Sequence, residues 1–217
     1  MIDRRYLPLI GPRVLDLFCC QGGASLGYAM AGLDPVGVDR APQPHYPFAF
    51  RLDDALDYAV AYGGAFDLVH ASPPCQRYTR AQKIRGRSHP DLVDRTRDVL
   101  RALGVPYVIE NVEGAPLRDQ VVLCGAMFGL ATYRHRLFET SFPVTAPRHP
   151  AHRTPTAKMG RRPAPGQHMH VVGNFVGVDE GRRAMGMHWA TREGLREAVP
   201  PAYARHIGEA FLLWRAA

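Results

Sequence analysis

The sequence predicts an α/β protein built on an open, doubly wound, mostly parallel sheet with helices on both faces. Three observations predict it. Short β-rich runs alternate with helical patterns through the first two thirds of the 217 residues, the pattern of strand–helix–strand units. A glycine-bearing turn joins the first strand to the first helix, as in folds that hold a ligand on backbone N–H groups. Chemically active residues also stand at the ends of predicted strands, where open α/β sheets bind their ligands.

The elements follow in order. RVLDLF (13–18) reads as a buried strand, and ASLGYAMAG (24–32) as a helix closed by Gly32. PVGVD (35–39), AFRLD (49–53) and FDLVHAS (66–72) read as further strands. Residues 91–104 form an amphipathic pattern with Leu92, Val93, Val99, Leu100 and Leu103 apolar, which predicts a helix. PYVIENV (106–112) is the next strand, with VVLCG (121–125) and HRLFET (135–140) as two more. The texture changes from 141 to about 183. Six prolines fall there, no acid occurs between Glu139 and Asp179, and Arg148, Arg153, Lys158, Arg161 and Arg162 supply positive charge. This predicts an extended basic insert. Residues 197–214 return as a helix whose Ile207, Phe211 and Trp214 are spaced to dock on a core. The organisation expected is a core at 1–140, an insert at 141–183 and a returning segment at 184–217.

Composition narrows the function classes. Hydrophobic residues make up 46% and charged residues 22%, ordinary for a globular chain. No signal peptide is evident and no run reaches membrane-spanning length, so a cytoplasmic location and no membrane partner are expected. Cys19, Cys20, Cys75 and Cys124 form no C-x-x-C pair, which predicts free thiols rather than a disulfide framework. The net charge of +7 suits a polyanionic partner. His149, His152, His168 and His170 have no cysteine near them in sequence, so no metal site is expected.

Four motifs carry chemistry. DLFCCQGGASLGY (16–28) is a strand, a glycine turn and a helix, and Asp39 ends the following strand, where an acid can hold a ribose diol. HASPPCQRYTR (70–80) puts Cys75 behind two prolines at a strand end, ahead of Arg77, Arg80, Lys83, Arg85 and Arg87. Stiff backbone and positive charge favour a reactive thiolate. IENV (109–112) places Glu110 at a neighbouring strand end, where a carboxyl in a closed pocket can hold a proton near neutral pH. RHRLF (134–138) puts Arg134 and Arg136 on one face of a strand, suited to a carbonyl or phosphate oxygen.

In this order the motifs resemble the DNA cytosine-C5 methyltransferase family, whose runs are D-L-F-x-G-x-G-G, P-C-Q, E-N-V, Q-x-R-x-R and G-N-A-V-P. The matching stretches are DLFCCQGG (16–23), PCQ (74–76), ENV (110–112), TYRHR (132–136) and REAVPP (196–201). The resemblance implies a Rossmann-like fold, S-adenosylmethionine as methyl donor and cytosine in double-stranded DNA as acceptor. By position it makes Cys75 the nucleophile on C6, Glu110 the donor at N3 and Arg136 the holder of the base carbonyl, with Arg134 and Asn111 bracing the pocket. For the cofactor it implies Phe18, Cys20, Gln21, Gly22, Gly23, Pro74, Glu197 and Val199, with Asp39 on the ribose and Asp54 on the adenine amino group. A base inside a duplex hides C6, so it must be flipped out. Gln76, Arg77, Arg80, Lys83, Arg85 and Arg87, with Arg148, Arg153, Lys158, Arg161, Arg162 and Gln167 of the insert, are then expected on DNA. Cys20 stands at a family glycine, Thr132 at a glutamine and Glu197 at an asparagine. The size resembles compact phage-borne members, which implies a monomer with weak site specificity. Methylation of RNA cytosine shares these motifs. A homologue that only binds nucleic acid is the third reading, and the intact Cys75, Glu110 and arginines weigh against it.

Overall fold

A computed structural model of the chain describes residues 11–75, 78 and 91–217. Seven strands form one sheet: β1 (Arg13–Leu17), β2 (Asp34–Asp39), β3 (Ala49–Leu52), β4 (Leu68–Ala71), β5 (Tyr107–Asn111), β6 (Val121–Leu123) and β7 (Arg136–Thr140). Their order is β3-β2-β1-β4-β5-β7-β6. Neighbours from β3 through β5 pair in parallel, while β7 runs antiparallel to both β5 and β6. The near-continuous apolar character of β1 and β4 follows, because helices cover both faces of a parallel sheet. The order reverses between β1 and β4, so ligands are expected over the carboxyl ends of these strands.

The helices are α1 (Gly23–Ala31), α2 (Ala55–Tyr62), α3 (Val93–Leu103), α4 (Val178–Met185), α5 (Arg192–Glu197) and α6 (Pro201–Arg215). α2 and α3 cover one face, where Ala55, Ala59, Val93 and Leu100 pack with Leu15, Leu17 and Ile109. α1 and α6 cover the other, where Tyr28, Tyr203, Ile207 and Phe211 pack with Val14, Leu68 and Val108. Each large apolar side chain buried this way contributes roughly 1.5–3 kcal/mol. Gly27 sets the α1–α6 distance: a Cβ there would stand 2.2 Å from the Pro201 carbonyl oxygen. Trp214, expected in the core, is 42% exposed and stacks on Phe142 at 5.7 Å. It lies in the last turn of α6, past the edge of the packed face.

Two expectations on organisation shift. α2 went unanticipated, although Asp54 caps it by accepting from the Leu56 and Asp57 amides. The boundary expected at 183 falls inside α4, and a third apolar cluster crosses it, joining Met169, Val171 and Phe175 to Met185, Leu195 and Ala198. Before α4 the insert is extended, with an isolated parallel bridge between Thr156 and His168 and the Met169 amide donating to the Ala131 carbonyl at 2.7 Å. Among the described residues, no helix is long and apolar enough to cross a membrane.

Candidate active site

The carboxyl ends of β1, β2, β4 and β5 open into a cleft of about 280 Å³ lined by Phe18, Cys20, Asp39, Ser72, Pro73, Pro74, Cys75, Glu110, Asn111, Arg136 and Glu197. Arg40, Val112 and Arg196 complete its wall. The thiol, the buried acid and the guanidinium predicted from three separate motifs therefore meet in one place.

Cys75 leaves the sheet on a short stiff path. The Ser72 amide donates to the Leu17 carbonyl at 3.2 Å, tying the strand end to β1. Two prolines then fix φ. Asn111 Nδ2 donates to the Pro73 carbonyl at 2.9 Å, while Asn111 Oδ1 accepts from the Val112 amide at 2.9 Å. Asn111 thus braces the cysteine loop against β5. Glu110, 6% exposed, faces Arg136, whose Nε lies 3.0 Å from Glu110 Oε1. Arg136 also donates through Nη1 to the His135 carbonyl at 2.8 Å. Register explains the meeting, since Glu110 on β5 pairs with Phe138 on antiparallel β7, two residues from Arg136.

The electrostatics follow from this burial. Desolvation raises the Glu110 carboxyl above its ordinary pKa, against the pull of the Arg136 cation and the Ser72 hydroxyl. Desolvation raises the Cys75 thiol as well, with Glu110 adding to the rise and the two arginines opposing it. Behind them, the buried Tyr28 Oη and His70 and the half-buried Ser72 Oγ form a chain at 2.9 and 3.0 Å. Burial lowers His70 to about 3, so the ring is neutral. Neither His70 nor Ser72 stood out as functional in the sequence, though both belong to the same H-A-S-P-P-C run.

Arg134 corrects an expectation. It is not on the same strand face as Arg136. It precedes β7 with φ at 27°, and its buried guanidinium turns to backbone carbonyls. Nε and Nη2 donate to Ala198 at 3.0 and 2.8 Å, Nη1 to Val171 at 2.6 Å, and Nη2 to Arg196 at 2.7 Å. It staples the 169–198 cluster to the sheet, behind the cleft.

On the opposite wall, Asp39 ends β2 and accepts from the Cys20 amide at 3.1 Å and the Ala41 amide at 2.9 Å. Each oxygen keeps a lone pair for a further donor. Gly22 caps α1 at φ 79°, a backbone conformation that costs glycine nothing. Gly22, Gly23 and Val199 form the packing behind the cleft wall, with Gly22 against Tyr46 and Gly23 against Val199. Gln21 is committed elsewhere: its Oε1 accepts from the Thr191 amide at 2.9 Å and its Nε2 donates to the Thr191 hydroxyl at 3.0 Å. Asp54 is exposed at the start of α2 and does not line the cleft.

Gln76, Arg77, Arg80, Lys83, Arg85 and Arg87 lie outside the described residues. Arg148, Arg153, Lys158, Arg161 and Arg162 are all exposed along the insert. Arg162 pairs loosely with Glu180 at 3.4 Å, and Gln167 Oε1 accepts from the Ala164 amide at 3.0 Å.

No known protein family and no curated protein matches the sequence. Solved structures do. A prophage-encoded E. coli protein assigned as a DNA modification methyltransferase aligns with a TM-score of 0.67 at 13% identity, over 95% of this chain and 100% of its own. The S. pombe Dnmt2 methyltransferase aligns with a TM-score of 0.44 at 19% identity, over 62% of this chain and 52% of its own. The first likeness shows a shared α/β fold, and the doubly wound architecture expected from the sequence holds.

Proposed function

We propose that this chain transfers a methyl group from S-adenosylmethionine to C5 of cytosine in DNA. One observation carries the reading: Cys75, Glu110 and Arg136 line the same cleft as Phe18, Asp39 and Glu197. Nucleophile, acid and carbonyl holder thus share a cleft with an aromatic ring and a carboxylate at the end of β2. The prophage DNA modification methyltransferase that shares the fold supports methyl transfer.

The donor set fits the cofactor. Asp39 would take the ribose diol, Phe18 the adenine face, and Glu197 supplies negative charge near a sulfonium. Bound there, S-adenosylmethionine supplies an electrophilic methyl group. The chain's own residues do the rest. Glu110, raised in pKa, donates its proton toward N3 of the flipped base, and Arg136 holds the O2 carbonyl. Protonating Glu110 also removes the carboxylate that opposes the Cys75 thiolate, leaving the arginine cations to favour it. The thiolate adds to C6 as N3 gains its proton, and C5 becomes the nucleophile. After methylation, a water molecule in the cleft takes the C5 proton, the C5–C6 double bond reforms and the thiolate is expelled, while N3 returns its proton to Glu110.

The test is methylation mapping on DNA from cells expressing the wild type and Cys75→Ser, with RNA oligonucleotides assayed in parallel. Methylcytosine in wild-type DNA and its loss in the variant support the reading. Methylation confined to RNA, or equal turnover by the serine variant, overturns it.

A further inference from the structure

Outside the cleft, one group of metal-ligating side chains meets among the described residues. Cys124, His135, His149 and His152 each turn one ligand atom to a common point, all within 4.8 Å of one another. They come from three places in the fold. Cys124 follows β6, His135 immediately precedes β7, and His149 and His152 belong to the insert. We propose that these four residues bind one zinc ion, which anchors the insert to the sheet edge beside Arg136.

The geometry carries this. A tetrahedral zinc with Zn–N of about 2.0–2.1 Å and Zn–S of about 2.3 Å needs ligand-to-ligand edges of about 3.3–3.6 Å. Cys124 Sγ lies 3.2 Å from His152 Nε2, and His135 Nε2 lies 3.4 Å from His149 Nε2. These are two opposite edges of the tetrahedron, already at closing distance. The remaining edges all lie within 4.8 Å, a span that side-chain shifts of the exposed His149 and His152 and the half-buried His135 can close. A thiolate with three imidazoles is a soft, nitrogen-rich set that selects zinc over magnesium or calcium. Four protein ligands leave no open position, so the site is structural rather than hydrolytic.

The surroundings fix the ligands as a second layer does in metal sites. The Tyr133 ring stacks on His152 at 3.7 Å and 14°. Its hydroxyl donates to the Thr154 carbonyl at 2.7 Å and accepts from the Thr154 amide at 3.0 Å. This clamps the loop that carries His152. The sequence argued against a metal because no cysteine stands near the insert histidines. The fold supplies Cys124 from the end of β6.

The consequence is mechanical. His135 is bonded to Arg136, which faces Glu110, so the ion would hold the arginine segment and the insert in one register. The test uses the full untagged chain, purified and dialysed against metal-free buffer. Elemental analysis is expected to give about one zinc per chain. Cobalt substitution is expected to give intense visible bands of a tetrahedral ion with thiolate-to-cobalt charge transfer. Cys124→Ser should lose the charge-transfer band. The exposed pair His149→Ala, His152→Ala leaves the core untouched and should lose the bound zinc. His168→Ala and His170→Ala should keep it. Zinc at background in the wild type, or full retention by the double histidine variant, overturns the proposal.

Discussion

Replacing Arg134 with alanine tests whether one guanidinium holds the second half of the molecule in place. The side chain donates to the carbonyls of Val171, Arg196 and Ala198. Arg196 is exposed, so water replaces its lost partner. Val171 and Ala198 are buried, and their carbonyls would be left without a donor. Each orphaned buried acceptor costs about 1–3 kcal/mol. Relief of the buried guanidinium's own desolvation offsets part of this. The net loss is about 3 kcal/mol, and at about 2–4 °C per kcal/mol for a chain of this size Tm should fall about 6–12 °C. Circular dichroism melts measure that shift, and amide exchange localises it. Protection should fall first at 169–198, because those segments lose their tie to the sheet. Arg134→Lys keeps the charge but not the fork, and should recover less than half of the loss. A Tm change under about 2 °C, or a loss of stability with unchanged protection at 169–198, would refute this reasoning.

Three further outcomes are expected. Wild-type protein should form a denaturation-resistant adduct with 5-fluorocytosine DNA and Cys75→Ser should not, while the two bind DNA alike; gel shift under denaturing and native conditions reads both. Asp39→Ala should weaken S-adenosylhomocysteine about tenfold, or about 1.4 kcal/mol, by calorimetry, and unchanged affinity removes Asp39 from the ribose site. Asp16, buried with Ser25, is raised by desolvation from the ordinary 3.8 to about 7. The native state therefore holds a proton that the unfolded chain releases, and stability falls as pH rises through that window, by about 1.4 kcal/mol per unit. Asp16→Asn should flatten the slope in urea melts at pH 4.5, 6 and 8, and an unchanged slope would remove Asp16 as its source.

The parts of the fold legible in sequence are those fixed by local pattern. β1, β2, β4 and β5 are runs buried on both faces, and α1, α3 and α6 carry clear helical spacing or caps. α2 was missed because its ALDYAVAY run has apolar or aromatic residues nearly all round, so no face stands out. α4 and α5 were missed because the proline-rich insert masks the return of order at Val178. Arg97 shows the limit more sharply. Helical spacing puts it on the face of Val93 and Leu100, where it is 1% exposed, but the pattern names no partner for its charge, which in the structure is the buried Glu139, 2.8 Å from its Nε. Only the pairing of β5 with β7 brings that acid under the helix. The same long-range pairing sets Arg136 beside Glu110, which the motifs named separately but could not join.

Two of the residues that depart from the motifs this sequence resembles, Cys20 and Glu197, meet in three dimensions. Cys20 keeps the left-handed backbone that a glycine would adopt freely, at φ 46°, and a Cβ there costs roughly 1–2 kcal/mol. Glu197 stands 177 residues away along the chain, yet Cys20 Sγ donates to Glu197 Oε2 at 3.5 Å. Burial and the Glu197 charge push the thiol up to about 12, so it stays a neutral donor. Two substitutions that look independent in sequence are therefore one contact in the cleft wall. A glycine at 20 would relieve the backbone but leave the carboxylate without its donor. An asparagine at 197 would remove the charge and leave Cys20 strained for no contact.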